Sequence, residues 1–249
     1  MTTSAEHTIT TEPEFKVSVI IPTYKPQNYL WECLSSLNRQ TMSKNDFEVL
    51  IVLNGCCEPW KGKIENYISE QCGNLNIRLI QTDEPGVSNA RNIGMEQMSG
   101  HSICFLDDDD WISDNYLKLL WNEYEPDMTI EASVVRFYEA TGQYIRRQKE
   151  QTLSGHTRQY MTVWQGRRFL SSSCCKLIPR HVVAQQCFNT SFIMGEDALF
   201  MASISNRLKG VKYISTPVYY RRVRQESVSQ RKLNHLATEL ISKPSLTFN

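Results

Sequence analysis

The sequence predicts an α/β fold, a mixed but mainly parallel sheet with helices on both faces. Three observations carry that prediction. Short β-rich runs alternate with segments of helical spacing, the runs are almost continuously apolar, and neither an internal repeat nor a low-complexity tract interrupts the alternation. Parallel strands need a crossover, usually a helix, and strands covered on both faces have no polar side to show. With 249 residues, 41% of them hydrophobic, the chain can bury one full core.

Each element can be justified in turn. Residues 1–15 are polar and rich in Thr and Glu, and they read as a flexible lead without the basic start or apolar centre of a secretion signal. The first strand, 17–21, is aliphatic and ends in Pro22-Thr23-Tyr24. Leu30, Cys33, Leu34 and Leu37 then recur at helical steps. A second strand over 47–53 closes on Asn54-Gly55, and Trp60, Ile64, Tyr67 and Ile68 mark a second helix. The third strand spans 77–81 and the third helix 87–98. A fourth strand, 102–106, runs directly into four acids, and Leu117, Leu120, Trp121 and Tyr124 give the helix that follows.

From 125 to 165 the periodicity fades and no element can be assigned. Order returns with a candidate strand over 173–178 and an amphipathic helix over 198–208, entered through Gly195-Glu196-Asp197. One domain is expected, with halves over 16–125 and 126–230 and a tail over 231–249. The unassigned stretch is where specificity contacts are expected, because loops carry specificity on such scaffolds.

Ligands of open α/β sheets bind at the carboxyl ends of the strands. The fourth strand ends in Phe105-Leu106-Asp107-Asp108-Asp109-Asp110-Trp111, four consecutive carboxylates that repel one another unless a cation gathers them. Hard ions such as Mg2+ or Mn2+ take oxygen ligands and commonly bridge to substrate phosphates, so the run proposes a metal-diphosphate site. The alternative is that one acid caps the next helix and the others are solvated. Glu196 and Asp197 have the same two readings. At a helix entry they complement the dipole, yet a second acidic site is also what a metal-assisted transfer to a hydroxyl requires, to remove the proton.

Other classes lose support. Lys+Arg and Asp+Glu both number 27, so no global field draws the chain to nucleic acid or to an anionic membrane. Its longest apolar runs fall far short of the roughly 20 residues of a membrane span. No G-x-G-x-x-G, P-loop or H-E-x-x-H motif is present, and the five histidines are scattered. Eight cysteines without C-x-x-C spacing, several inside apolar runs, fit a reducing cytoplasm better than a disulfide framework.

Four stretches together resemble the family 2 glycosyltransferases of the bacterial surface-polysaccharide type, inverting enzymes with the GT-A fold. They are the segment from Val17 to Tyr24, Gly86-Val87-Ser88-Asn89-Ala90-Arg91-Asn92-Ile93-Gly94, the acidic run, and Gly195-Glu196-Asp197 with Phe200. They stand in the family's order and cover about residues 16–230, which implies a nucleotide-sugar-binding half over 16–125 and an acceptor-binding and catalytic half over 126–230, with the unassigned stretch toward the acceptor.

The resemblance implies the following roles. Asp107-x-Asp109 matches the D-x-D motif, with Asp107 and its neighbour Asp108 toward the donor and Asp109 on a Mn2+ or Mg2+ ion. Asp197 aligns with the catalytic base, beside Glu196. Pro22, Thr23, Tyr24, Asn54, Arg91 and Asn92 fall on the nucleotide pocket. Arg222 or Arg224, ahead of Ser227-Val228-Ser229, matches a basic segment that covers the diphosphate. The partners implied are a nucleotide-sugar donor, with uridine diphosphate favoured, and a saccharide or lipid-linked saccharide acceptor, with no nucleic acid. The setting implied is cytoplasmic, at the inner face of the membrane by peripheral association. A non-catalytic sugar-nucleotide binder and a nucleotidyl transferase are the competing readings.

One departure stands out. Where the family carries an Asp-Asp-Gly-Ser-like turn whose first acid contacts the base, this chain reads Leu53-Asn54-Gly55-Cys56. Base recognition then falls to Asn54, to main chain or to another residue, unless Asn-Gly is a plain turn.

Overall fold

A computed structural model describes residues 14–146 and 158–224 of the chain. The greater part of the expected lead, the Ser227-Val228-Ser229 segment and the expected tail lie outside the described residues.

The four strands read from the sequence all form, as β1 (Phe15–Thr23), β2 (Phe47–Asn54), β3 (Asn76–Thr82) and β4 (Gly100–Phe105). They pair in parallel in the order β3-β2-β1-β4. Every residue of β2 is buried, as a strand covered on both faces must be. The crossovers are helices α1 (Tyr29–Asn38), α2 (Trp60–Gln71) and α3 (Val87–Gln97). Leu30, Cys33, Leu34 and Leu37 of α1 are all fully buried, which accounts for the spacing that marks the helix. Close packing places α3, because a Cβ on Gly94 would collide with the Ile20 side chain. Bare glycine lets the helix lie directly on β1 and carries Arg91 and Asn92 to the end of the sheet.

After β4 come the short β5 (Trp111–Ile112) and α4 (Tyr116–Asn122). The stretch that gave no periodicity holds three strands, β6 (Met128–Tyr138), β7 (Gln143–Arg146) and β8 (Arg158–Thr162), and leads into the one-turn helix α5 (Val163–Gly166). β9 (Lys176–Pro179) is shorter and later than the 173–178 expected; the one-turn helix α6 (Arg180–Val183) follows it directly. The late helix α7 (Glu196–Ile204) passes into a single 3-10 turn over Ser205–Arg207, so the expected helix over 198–208 starts earlier and ends sooner. Its expected apolar face is also only partly right, since Leu199 is exposed while Phe200, Met201 and Ile204 are buried.

β10 (Gly210–Val223), like β5 to β8 not expected from the sequence, pairs in parallel with β6 and antiparallel with β5 and β8. β9 joins the halves by pairing antiparallel with both β4 and β6. One continuous mixed sheet therefore runs β3-β2-β1-β4-β9-β6-β10-β5. The α/β class and the mixed sheet are as predicted; β3-β2-β1-β4 and the β6–β10 pair are parallel, and the antiparallel pairs are concentrated in the second half.

Candidate active site

The carboxyl ends of β1, β2 and β4 meet in one place. Thr23 closes β1, and its Oγ1 donates to Asp108 Oδ2 at 2.6 Å, so the first strand end holds the acidic run. Asn54 closes β2. Its Nδ2 donates to the Thr23 carbonyl at 2.7 Å and its Oδ1 accepts from the Gly86 amide at 2.9 Å. Asn54 is only 3% exposed, and it ties β1 and β2 to the turn that opens α3. Leu53 is fully buried in the hydrophobic core, so that side chain is packing and not a surface for a base. Pro22 is buried in β1, whereas Tyr24 is exposed beside Lys25.

The acidic run does not cap α4. That helix has Asn115 at its N-cap without a side-chain capping bond. Asp110 is buried; it accepts from the Arg222 amide at 2.8 Å and from the Tyr219 hydroxyl. Burial is the main cause that lifts the Asp110 carboxyl well above its ordinary range, with Asp109 and Asp107 adding repulsion. Asp109 is raised by burial and by Asp107, against the pull of Arg224. Burial pushes Asp108 up to about 7 despite the bond from Thr23. This is a crowded set of oxygen donors whose charge the neighbouring arginines offset only in part. Such a set suits a hard divalent cation, although no cluster of three potential ligands is already drawn together among the described residues.

Arg91 links this run to the second acidic pair. The guanidinium is 3% exposed and forks, with Nη2 donating to Asp107 Oδ1 at 2.9 Å and Nη1 to Asp197 Oδ1 at 2.8 Å. Glu196 Oε1 lies 3.7 Å from the same Nη1. Burial opposes the charge on Arg91, and Asp107 and Asp197 override it, so its pKa is raised. Gly195, at φ 81°, lets the chain turn into α7 and present both acids inward. The N-cap is Gly195, which has no side chain to bond, and both acids stand in the first turn of α7, where the helix dipole favours them. Asn92, one residue on, exchanges two bonds with the Phe188 backbone at 2.9 and 2.8 Å, which anchors the loop ahead of α7.

The two arginines of the expected basic segment are placed differently from each other. Arg222 lies in β10 with a side chain only 6% exposed. Its guanidinium sits 4.6 Å from the Tyr29 ring and 4.8 Å from Trp111, pairs with Glu32, and donates from Nε to the Asp109 carbonyl at 3.0 Å. It could not be found as buried because β10 itself was not read. Arg224, 35% exposed, pairs with the Asp109 carboxylate. Two further residues went unnoticed, Ser172 and Ser173, whose hydroxyls donate to Asp197. Serines before a short strand carry no sequence signal for such a role.

Comparison with known proteins decides what this arrangement belongs to. The family model described as Glycosyl transferase family 2 matches residues 18–186, well over half of the chain. The chain belongs to that family. Glycosyltransferase GlyA of Streptococcus pneumoniae serotype 4 is 28% identical over 225 residues, which is 86% of this chain and 32% of GlyA. The poly(ribitol-phosphate) beta-N-acetylglucosaminyltransferase TarS of Staphylococcus aureus is 34% identical over 103 residues, 41% of this chain and 18% of TarS. The crystal structure of S. aureus TarS 1-349 in complex with UDP-GlcNAc superposes with a TM-score of 0.71 at 22% identity, covering 93% of this chain and 68% of that one. That likeness shows the fold, which is GT-A. The chain thus spans about a third of one relative and under a fifth of the other.

For a family 2 member the strand-end positions are now placed. Thr23 holds Asp108, the Arg91 fork joins Asp107 to Asp197 and Glu196, and Asp109 follows in the same acidic run paired with Arg224. Asn54 and Asn92 border it with amides engaged by backbone. No helix among the described residues is long and apolar enough to cross a membrane.

Proposed function

We propose that this chain is an inverting, metal-dependent glycosyltransferase domain that moves a sugar from a uridine diphosphate donor to a saccharide or lipid-linked saccharide acceptor in cell-surface polysaccharide synthesis. One observation carries the reading: Arg91 holds Asp107, at the donor end of the sheet, and Asp197, at the head of α7, on the two arms of a single guanidinium. A transfer needs a leaving-group site and a proton acceptor at adjoining positions, and this fork supplies both. Family membership and the UDP-GlcNAc held by TarS support the donor class.

Asp197 takes the proton of the acceptor hydroxyl as its oxygen bonds to the anomeric carbon, while the bond to the nucleoside diphosphate breaks on the opposite face. One displacement inverts the centre, and a positioned base contributes roughly 10²–10⁴-fold. Asp109 is the residue that would hold Mn2+ or Mg2+; the bound ion would neutralise charge on the departing diphosphate. Arg224, now paired with Asp109, is placed to meet the same diphosphate. Phe192, Ile193 and Met194, all exposed directly before Gly195, offer an apolar loop beside the base and support an acceptor with a lipid portion, met at a membrane surface.

Incubation with a panel of uridine diphosphate sugars and Mn2+ tests the reading. Release of free UDP is expected, slowly with water as acceptor. Pyrophosphate release when a nucleoside triphosphate and a sugar 1-phosphate are supplied instead would indicate nucleotidyl transfer, and a melting shift with the uridine diphosphate sugars without any release would indicate a binder.

A further inference from the structure

Asp197 is oriented before any acceptor arrives, by groups from two separate parts of the chain. Oδ1 accepts from Arg91 Nη1 at 2.8 Å and from Ser173 Oγ at 2.7 Å. Oδ2 has one longer contact, from Ser172 Oγ at 3.3 Å. Ser173 is fully buried, whereas Ser172 is partly open to solvent. The two oxygens of the carboxylate are therefore not equivalent.

The support behind Ser173 is built with unusual polar content. Lys176 donates to the carbonyls of Ser172 at 2.6 Å and Cys174 at 3.0 Å, and pairs with Glu131 at 2.8 Å. Both members of that pair are at most 1% exposed. Burying two charges is costly, and leucine-like packing would serve stability at least as well. What the lysine does supply is two fixed carbonyls on either side of Ser173. Behind Arg91, the Phe188 ring lies 5.3 Å from the guanidinium, and Phe188 is itself anchored by Asn92.

We propose that Ser173 and Arg91 are positioning residues that jointly fix Oδ1 of Asp197, so that Oδ2, where the partly exposed Ser172 hydroxyl can give way, is the oxygen that receives the acceptor proton. This rests on the reading of Asp197 as the base. The two residues act through Asp197 and need not touch either substrate. Arg91, at 3% exposed, is thereby assigned to the carboxylates and not to the nucleobase.

A double-mutant cycle separates positioning from mere structure. UDP release is measured, with water as acceptor, from the uridine diphosphate sugar that the wild type turns over fastest. A hydrogen bond to a charged group is worth enough that Ser173→Ala should lower kcat about tenfold or more, with the donor KM nearly unchanged. In an Asp197→Asn background the same change should have almost no further effect, because the carboxylate it orients is gone. Arg91→Lys, which keeps the charge but cannot fork, serves as the second variant; its loss should be smaller in the Asp197→Asn background, with a remainder from the lost bond to Asp107. Equal losses in both backgrounds, or wild-type kcat in Ser173→Ala, would overturn the proposal. Wild-type turnover by Asp197→Asn alone, or no release from any donor, would instead remove the base assignment on which it rests.

Discussion

Arg91 donates to Asp197 at 2.8 Å across 106 positions of sequence, and that bond joins the two halves of the chain at the site. Its other arm holds Asp107. Arg91→Met should therefore leave two carboxylates facing each other without their shared cation. Breaking a buried pair typically costs 3–5 kcal/mol; the partial exposure of Asp107 and Asp197 reduces the expectation to about 2–4 kcal/mol. Urea denaturation checks it, and a loss below about 1 kcal/mol would show that the fork adds little to the fold.

Leu53 offers a test of base recognition that turns into one of packing. The side chain is fully buried, so Leu53→Asp places a carboxylate among apolar neighbours and should destabilise the protein severely, by about 4 kcal/mol or more. Leu53→Met should cost less than about 1.5 kcal/mol and leave the ranking of nucleoside diphosphates unchanged. A well-folded Leu53→Asp protein would contradict the placement.

Arg222 and Arg224 should behave differently although they stand only two positions apart. Arg222 is buried between Tyr29 and Trp111, and Arg222→Ala should cost about 2–3 kcal/mol through lost packing as well as lost charge. Arg224→Ala should change the melting temperature little and weaken UDP binding. Matched stability and affinity losses in the two variants would refute that division.

The metal expectation concerns Asp109. Calorimetric titration of the wild type with UDP should give tighter binding in Mn2+ than in EDTA, and Asp109→Ala should bind equally in both. Metal dependence that survives in the variant would move the ligand role to another residue of the run.

Much of the fold could be read from local pattern, and the failures have physical causes. β2 and most of β1 are continuous apolar runs, β4 ends in one, β3 alternates apolar with exposed polar residues, and α1 has its buried positions at regular steps, so local pattern alone reveals them. β10 is 14 residues long but carries Pro217 and an irregular register between Ile214 and Val218, which pair with the consecutive Ala132 and Ser133 and leave Ser215, Thr216 and Pro217 as extra residues between them. Proline in a run argues against a strand unless a bulge absorbs it, as this one does. β6 hid behind Glu131 and Arg136, since a buried glutamate is credible only once its partner Lys176, 45 positions away, is known. At the site, the acids were legible because carboxylates in a row are chemically conspicuous. The hydroxyls of Ser172 and Ser173 were not, because their role comes from a tertiary contact. Asn54 and Asn92 were noticed for their place in motifs, and the structure shows both amides bonded to backbone.

The central claim is that Asp197 removes a proton, and the most direct measurement is the kcat of Asp197→Asn. Asparagine keeps the shape and can still meet Arg91 and Ser173 through its oxygen, but it cannot accept the proton. Turnover of the preferred uridine diphosphate sugar should fall by about two orders of magnitude or more, with UDP affinity within about twofold of wild type. Near-normal kcat in a folded Asp197→Asn protein would contradict the account and pass the role of base to Glu196 or another acid.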